Sequence, residues 1–332
     1  HAATAPVRPE AREVMTGLLR AGPGNPSGAH EPARRARRAL DNARDALARV
    51  LGCEPGDVVF TSGGTEADNL AVLGVHDALG GTVVCSAVEH PAVLRPTLSR
   101  GGRVVPVGGD GRIDLDALAG AIDADVSLVS VMAVNNEVGT VQPVAGVVEV
   151  VRRQAPRALV HCDAVQAVPW LPVADVLRGV DLVSISAHKF GGPPGVGALV
   201  VRSGATPSPR QLGGGQERER RSGTQNVPAA AAMAVAATAV SAHRGEEVAR
   251  VGALRDRLLA GLLERVDACG ETGSPDPLAG WGPTLDGPSR PSGWADTAGR
   301  AGVAPRAPGI LPLWFEGVES EALLFMLDES GI

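Results

Sequence analysis

Residues Ser184-Ile185-Ser186-Ala187-His188-Lys189-Phe190-Gly191-Gly192 contain the single lysine of a chain of 332 residues. Arginine keeps its proton in proteins, whereas lysine can lose it and act as an amine nucleophile. Lys189 is therefore either a reactive amine or a cation retained in a salt bridge. The apolar run Leu182–Ser186 ends just before it, and catalytic groups of open α/β sheets collect past the carboxyl ends of strands.

Other short, β-branched runs lie on both sides of this stretch and alternate with helix-like segments. This alternation predicts an α/β fold in which helices cover both faces of a mostly parallel, seven-stranded sheet. The predicted strands are Val58–Thr61, Thr82–Cys85, Arg103–Val107, Ser127–Val131, Ala158–Cys162, Leu182–Ser186 and Gly197–Val201. Helical periodicity predicts helices over Pro32–Leu51, Glu66–Leu79 and Pro228–Val266.

The C-terminal part has a different composition. Residues 275–308 are rich in proline and glycine and predict a mobile insertion. A strand over Gly309–Phe315 and a helix over Ser320–Leu327 are expected after it. We therefore predict a large domain over residues 21–245 and a smaller α+β domain. The smaller domain would comprise residues 1–20 and 246–332, and it looks incomplete.

The overall composition narrows the class of protein. Hydrophobic residues make up 44% of the chain and charged residues 20%, so the chain can bury a core. The formal net charge of −6 gives no overall field for nucleic acid or anionic lipid. The alanine-rich run Ala229–Val240 is shorter than the roughly 18 residues that cross a bilayer. We predict a protein that binds neither membranes nor nucleic acid directly.

Four cysteines lie far apart without a C-x-x-C pair: Cys53, Cys85, Cys162 and Cys269. This spacing argues against a zinc knuckle and against a disulfide framework. It fits a reducing, cytoplasmic setting, and no metal site is expected. Cys269, which precedes Gly270, is expected to lie in a loop.

Two further groups are expected at the same edge of the predicted sheet as Lys189, namely an aspartate and a glycine-containing turn. Asp163 follows the strand Ala158–Cys162, and it is either a turn residue or the partner of a protonated pyridine nitrogen. The Gly-Gly turn at Thr61–Glu66 precedes a helix, and its N–H groups could bind a phosphate at the helix N-terminus. A lysine that can form a Schiff base, an aspartate and a phosphate-binding turn are together typical of pyridoxal phosphate (PLP) enzymes.

Several motifs in one order resemble the cysteine desulfurases, which are NifS-like PLP enzymes of the class-V aminotransferase group. The resemblance extends over nearly the whole chain and implies the fold type I architecture of PLP transferases. The motifs are Ala87-Val88-Glu89-His90, Val134-Asn135-Asn136-Glu137-Val138-Gly139, the pair Asp163 and Gln166, Ser186-Ala187-His188-Lys189, and Arg221-Ser222-Gly223-Thr224.

The resemblance implies a role for each site residue. Lys189 would hold PLP and move the proton of the substrate's α-carbon, and His90 would stack on the ring and assist proton transfer. Asp163 would bind the ring nitrogen and Gln166 the ring hydroxyl, while Asn136 would lie near the cofactor and the substrate carboxylate. The expected phosphate ligands are Gly64, Thr65, Ser186, His188 and, from the partner subunit of a homodimer, Thr224. From the residues alone, the alternative is that His90 and His188 are core histidines, but their positions at strand ends with polar neighbours favour a role in proton transfer.

The resemblance also implies a reaction and its partners. L-cysteine would become L-alanine, with sulfur passed as a persulfide to an acceptor protein, as in iron–sulfur cluster assembly. In the family, the acceptor cysteine and a carboxylate-binding arginine follow a segment resembling Leu327–Ile332. The chain ends there, so we expect that none of its four cysteines is the persulfide carrier. A selenocysteine lyase, an aminotransferase-like enzyme and a non-catalytic sulfur-transfer scaffold remain alternatives.

Overall fold

The computed structural model describes residues 1–22, 24–202, 204–266, 269–271 and 305–332. Its central feature is a seven-stranded sheet with strand order β1-β7-β6-β5-β4-β2-β3. The strands are β1 (Val58–Thr61), β2 (Thr82–Ser86), β3 (Arg103–Val105), β4 (Val126–Ser130), β5 (Leu159–Asp163), β6 (Leu182–Ser186) and β7 (Gly197–Val201). These are the seven strands that the sequence predicted, with small differences at the ends.

Strand direction confirms the prediction of a mostly parallel sheet. Strands β2 to β6 pair in parallel, whereas β7 runs antiparallel to both of its neighbours, β6 and β1. The carboxyl ends of β1, β2, β4, β5 and β6 therefore lie at one edge of the sheet. Gly197, the first residue of β7, pairs with Ser186 and Thr61 at the same edge.

Helices cover both faces of this sheet, as predicted. In chain order they are α1 (Pro9–Arg20), α2 (Glu31–Leu51), α3 (Gly64–Leu79), α4 (Pro91–Ser99), α5 (Leu115–Ala121), α6 (Val144–Gln154), α7 (Val173–Val176) and α8 (Val227–Arg265). Strand residues alternate between the two layers, because successive side chains point to opposite faces. Val59 packs against α3 residues such as Leu70, whereas Val58 and Phe60 join the cluster that contains α2, α6 and α8.

The longest helix, α8, begins with a run of alanines that is almost entirely buried. Small side chains allow α1 and α2 to pack closely against it. Asn226 is its N-cap, with Oδ1 accepting a hydrogen bond from the Ala229 N–H at 3.3 Å. The predicted domain boundary at residue 245 lies inside this helix, and the division into domains stays a prediction.

Beyond α8 the structure describes a two-stranded antiparallel sheet of β8 (Cys269–Glu271) and β9 (Leu313–Phe315), followed by helix α9 (Ser320–Glu329). Cys269 pairs with Phe315, so the expectation of a loop at Cys269 was wrong. The predicted strand at 309–315 is shorter, and the predicted helix is confirmed. Residues 275–304 of the predicted insertion lie outside the described residues. No helix in the described ranges is long and apolar enough to cross a membrane.

Candidate active site

One pocket at the carboxyl edge of the sheet brings together every predicted site residue except Thr224. Its walls come from segments that follow β1, β2, β4, β5 and β6. The predicted residues that line it are Gly64, Thr65, His90, Asn136, Asp163, Gln166, Ser186, His188 and Lys189. Asp68, Met132, Val134 and Val165 also line it and were not predicted.

Lys189 ends a short 3-10 turn, Ala187–Lys189, directly after β6. It is half-buried, and burial lowers the pKa of its amine, although nearby Asp163 opposes this shift. A lysine with a lowered pKa loses its proton more readily at neutral pH and becomes a better nucleophile.

The N-terminal segment forms one wall beside the lysine. The Ala2 carbonyl accepts hydrogen bonds from Lys189 Nζ at 3.0 Å and from Gln166 Nε2 at 2.9 Å. Farther along, the Ala5 N–H donates to the His188 carbonyl at 2.8 Å, and the Thr4 hydroxyl lies 3.2 Å from His188 Nδ1. These bonds orient Gln166 and Lys189 toward the same region of the pocket.

The turn between β1 and α3 lies at the helix N-terminus, where free N–H groups attract anions. We call residues Thr61–Thr65 the phosphate turn. A side chain at Gly64 would lie 2.8 Å from Val165 Cγ2, so only glycine allows this approach. The side chains of Thr65, Ser186 and His188 meet at the same pocket and add hydroxyl and imidazole donors.

Two buried carboxyl groups, Asp163 and Asp68, also line this pocket. Asp163 Oδ1 accepts a hydrogen bond from the Val165 N–H at 2.9 Å, and burial raises its pKa despite nearby His90 and Lys189. Asp68, from α3, is also buried, and burial together with the charge of Asp163 raises its pKa well above the usual range. Two neighbouring carboxyl groups resist carrying two charges, so each of the two negative charges would favour protonation of the other group.

His161 stands beside this pair in the core. Its ring nitrogens lie 2.8 Å from Ser130 Oγ and 2.9 Å from Ser184 Oγ, and Nε2 is 3.7 Å from Asp68 Oδ1. Burial lowers its pKa to about 3, so the ring is neutral at physiological pH. Asp68 Oδ1 has no hydrogen-bond partner among the described residues, although it borders the pocket.

His90 is the N-cap of α4, and its Nδ1 accepts a hydrogen bond from the Ala92 N–H at 3.1 Å. This bond fixes the ring orientation and leaves Nε2 as the nitrogen that carries the proton in the neutral form. The preceding residue, Glu89, is buried and accepts hydrogen bonds from Ser86 Oγ at 2.5 Å and from the Met132 N–H at 2.9 Å.

Asn136 reaches the pocket because its neighbour shapes the loop after β4. Asn135 Oδ1 accepts from the N–H groups of Glu137 and Val138 at 2.9 and 2.8 Å. Its Nδ2 donates to the Val88 carbonyl at 3.0 Å, which ties this loop to the segment carrying His90. Asn135 therefore stabilises the turn, and Asn136 lines the pocket.

These residues fit PLP. The buried Asp163 next to Asp68 calls for a cationic partner, which a protonated pyridine nitrogen supplies. The phosphate turn with Thr65, Ser186 and His188 suits a phosphate, and Lys189 is an amine with a lowered pKa. Charge and hydrogen-bonding groups of the pocket therefore match the ring, the phosphate and the aldehyde of the cofactor.

The sequence analysis did not identify Asp68 as a site residue, although it lines the pocket. In the sequence, Asp68 is one of several polar residues of a predicted helix and has no feature of its own that marks it as functional. A signal was present nonetheless, because residues four apart share one helix face, which places Asp68 on the side of Gly64. Met132, Val134 and Val165 are apolar and carry no such signal.

Thr224 does not line this pocket. It lies in a separate groove, together with Leu18, Asn25 and Arg35. Within one subunit it is therefore not a ligand of the same pocket, which leaves its predicted contribution to a partner subunit open.

Comparison with known proteins places the chain in a family. The model of the class-V aminotransferases matches residues 1–277. The chain therefore belongs to the class-V aminotransferase family, and the fold and the pocket agree with this assignment.

Similarity to individual relatives narrows the assignment within this family. The chain is 39% identical to the IscS-like cysteine desulfurase of Mycobacterium tuberculosis, over all of this chain and 80% of that protein. Its structure is similar to that of a NifS-like protein, with a TM-score of 0.87 and 33% identity over all of this chain and 85% of the other. It is also similar to SspA in complex with cysteine, with a TM-score of 0.67 and 34% identity over 71% of this chain and 70% of the other. The predicted resemblance to cysteine desulfurases is confirmed.

Proposed function

We propose that this chain is a PLP-dependent cysteine desulfurase, which converts L-cysteine to L-alanine and passes the sulfur to an acceptor thiol. The observation that carries this proposal is the convergence of the single lysine, the buried Asp163 and the phosphate turn in one pocket. Relatives named as cysteine desulfurases, which match this chain over its full length, support the choice of substrate.

The cofactor would be held at four points. Lys189 would provide the covalent attachment, Asp163 would bind the ring nitrogen, and Gln166 would donate a hydrogen bond to the ring hydroxyl. The phosphate would be bound by the backbone at Gly64 and by the side chains of Thr65, Ser186 and His188. When bound, PLP supplies an electron sink that stabilises negative charge on the substrate's α-carbon.

Lys189 is the base that removes the proton from the substrate's α-carbon and later returns it. Its lowered pKa suits this role, because a general base must be unprotonated near the working pH. The ring of His90 is fixed by the Ala92 N–H, and it would stack on the cofactor ring and assist proton transfer. Asn136 lies at the substrate side and donates to the carboxylate of the amino acid.

Sulfur leaves the substrate toward a thiolate. The attacking thiolate forms an S–S bond, the bond between the substrate's Cβ and its sulfur breaks, and the remaining carbon takes up a proton to give alanine.

None of the four cysteines lines the pocket. Burial raises the pKa of Cys53 to about 11 and that of Cys85 to about 12, so both are poor nucleophiles. The acceptor thiol is therefore a different one, and an acceptor protein is the expected partner.

The active form is a homodimer in which Thr224 contributes to the phosphate site of the partner. The position of Thr224 outside its own subunit's pocket supports this arrangement. Its groove also contains Leu18 and Arg35, which offer apolar and charged contacts to a second copy.

The test follows the α-proton and the products separately. In D₂O, the chain loaded with PLP should exchange the α-proton of L-alanine, as followed by NMR, without any acceptor thiol. With L-cysteine and dithiothreitol as acceptor, it should release alanine and sulfide in equal amounts. Lys189→Ala should abolish both signals. Exchange and release that persist in Lys189→Ala, or wild-type protein that binds PLP but exchanges no proton, would overturn the proposal.

A further inference from the structure

A loop far along the chain packs around the phosphate turn. We call residues 211–226 the clamp loop. It contains three consecutive non-glycine residues with left-handed backbone angles, namely Glu217, Arg218 and Glu219, with φ of 49°, 57° and 65°. Such a run is unfavourable for L-residues and persists only where surrounding contacts hold it in place.

The contact that holds it is the buried Glu217. Arg44, from α2, donates to its two oxygens at 2.9 and 2.8 Å, and the Phe60 N–H donates at 2.8 Å. Gln225 Nε2 adds a fourth hydrogen bond at 3.0 Å from within the clamp loop. The Glu217 side chain is fully buried, and its charge is balanced by the guanidinium of Arg44. The clamp loop is thereby attached to β1 immediately before the phosphate turn.

A second contact attaches the clamp loop immediately after the same turn. Arg221 donates to both oxygens of Glu66, with Nε at 2.7 Å from Oε1 and Nη2 at 3.3 Å from Oε2. Glu66 Oε2 also accepts the Ser62 N–H at 2.7 Å, so this carboxylate reaches back across the turn. Burial alone would raise the pKa of Glu66, but the hydrogen bonds from Arg221 and Ser62 bring it below the usual value.

The phosphate turn is thus held at both ends by one loop. Its N–H groups can bind a phosphate only when they point to a common centre. Arg221 and Glu66 are 18% and 22% exposed, so water competes only partly for this pair. Neither residue lines the pocket, and any effect on the cofactor must act through the turn.

We propose that Arg221 and Glu66 are positioning residues that, through the clamp loop, set the shape of the phosphate turn for the cofactor's phosphate. This inference rests on the proposed function only in that it requires PLP to be the ligand. A phosphate-specific role can be distinguished from a contribution to overall stability, because only the phosphate end of the cofactor depends on the turn.

The test compares two ligands that differ only in the phosphate. The affinities of wild type, Arg221→Gln and Glu66→Gln are measured by titration with PLP and with pyridoxal, which lacks the phosphate. Loss of a charge-assisted bond should weaken PLP binding about tenfold in Arg221→Gln. Glu66→Gln keeps an acceptor for Ser62 and should show a smaller effect in the same direction. Pyridoxal affinity should stay unchanged in both variants.

A matched control exists at the opposite end of the sheet. Asp181 accepts from Arg152 Nη2 and from the Val160 N–H, both at 2.7 Å, and so repeats the arrangement of Glu66 far from the pocket. Arg152→Gln should leave the ratio of the two affinities at the wild-type value. Equal losses for PLP and pyridoxal, or no loss in either clamp variant, would overturn the inference. Wild type that fails to bind PLP would instead overturn the proposed function.

Discussion

At Lys189, a single substitution separates covalent attachment of the cofactor from folding. Lys189→Ala removes the amine and its hydrogen bond to the Ala2 carbonyl. The side chain is half-buried, so the free energy of unfolding should change by no more than about 1 kcal/mol. The visible absorbance of covalently held PLP should disappear, while circular dichroism should remain that of the wild type.

Lys189→Arg is the matched control for charge. Arginine keeps the positive charge but does not lose its proton, so this variant should also lack the visible band. A band that persisted in either variant would mean that PLP is attached elsewhere, although the chain offers no second lysine.

Glu89, the buried residue before His90, gives a prediction for stability as a function of pH. Burial raises its pKa to about 8, against an ordinary value of 4.5. Between these values the folded state holds a proton that the unfolded state has lost, so stability falls as pH rises from about 4.5 to about 8. The slope from this group is at most about 1.4 kcal/mol per pH unit.

Glu89→Gln should remove this contribution, because the amide resembles the protonated acid and never ionises. Urea unfolding at several pH values should show that the variant gains on the wild type as pH rises toward 8. Glu149, which is exposed on α6, is the control for the substitution itself, because Glu149→Gln makes the same chemical change at a surface position. Parallel profiles for wild type and Glu89→Gln would contradict the prediction.

At the scale of elements, the start of β7 supports the phosphate turn. A side chain at Gly197 would lie 2.6 Å from the Gly63 carbonyl carbon and 2.6 Å from the Ile185 carbonyl oxygen. Both neighbours are backbone, so Gly197→Ala must displace the turn. We expect PLP affinity to fall about tenfold or more, because the N–H groups of the turn lose their alignment.

Gly120→Ala provides the comparison, because nothing lies within 4 Å of a side chain added at this exposed position in α5. Alanine is the better helix former, so this variant should bind PLP normally and be slightly more stable. Titration with PLP and thermal melts measure both effects. Normal affinity in Gly197→Ala would show that the turn tolerates displacement.

The strands were predictable from sequence because both faces of the sheet are buried, which requires uninterrupted apolar runs such as Gly197–Val201. The direction of β7 was not predictable, since an apolar run has the same character in either orientation. Cys269 was misjudged for a related reason. Its strand partner, Phe315, lies far along the chain, and pairing at such a distance leaves no local pattern.

The candidate site was predictable where a residue type is rare or follows a strand end, as with Lys189 and Asp163. The role of Arg221 as a partner of Glu66 was hidden, because arginine supplies nearly every positive charge of this chain. Nothing in the sequence distinguishes an arginine that holds a turn from one that faces water.

At the scale of the whole molecule, the predicted homodimer can be tested by mixing two defective subunits. Thr224→Val should weaken PLP binding about tenfold through the loss of one phosphate hydrogen bond. Lys189→Ala removes the attachment in its own subunit. If Thr224 serves the partner's site, a mixed dimer contains one site with neither defect and one with both.

Co-expression of the two variants with different tags allows the mixed dimer to be isolated. In the isolated mixed dimer, half of the sites should have wild-type affinity, because each mixed dimer has one intact site. Light scattering establishes the dimer itself. If mixed dimers bind PLP no better than Thr224→Val alone, Thr224 does not act across the interface.

The use of arginine almost everywhere else makes Lys189 the only side-chain amine that an aldehyde can modify. Free PLP commonly labels surface lysines, whereas guanidinium groups do not form such adducts under the same conditions. Labelling of side chains should therefore stop at one cofactor per chain, and reduction with borohydride should mark one internal peptide, the one that contains Lys189. A protease that cuts only after lysine would split the unmodified chain into residues 1–189 and 190–332, and the reduced adduct should resist it. Cofactor occupancy could then be read directly from a gel.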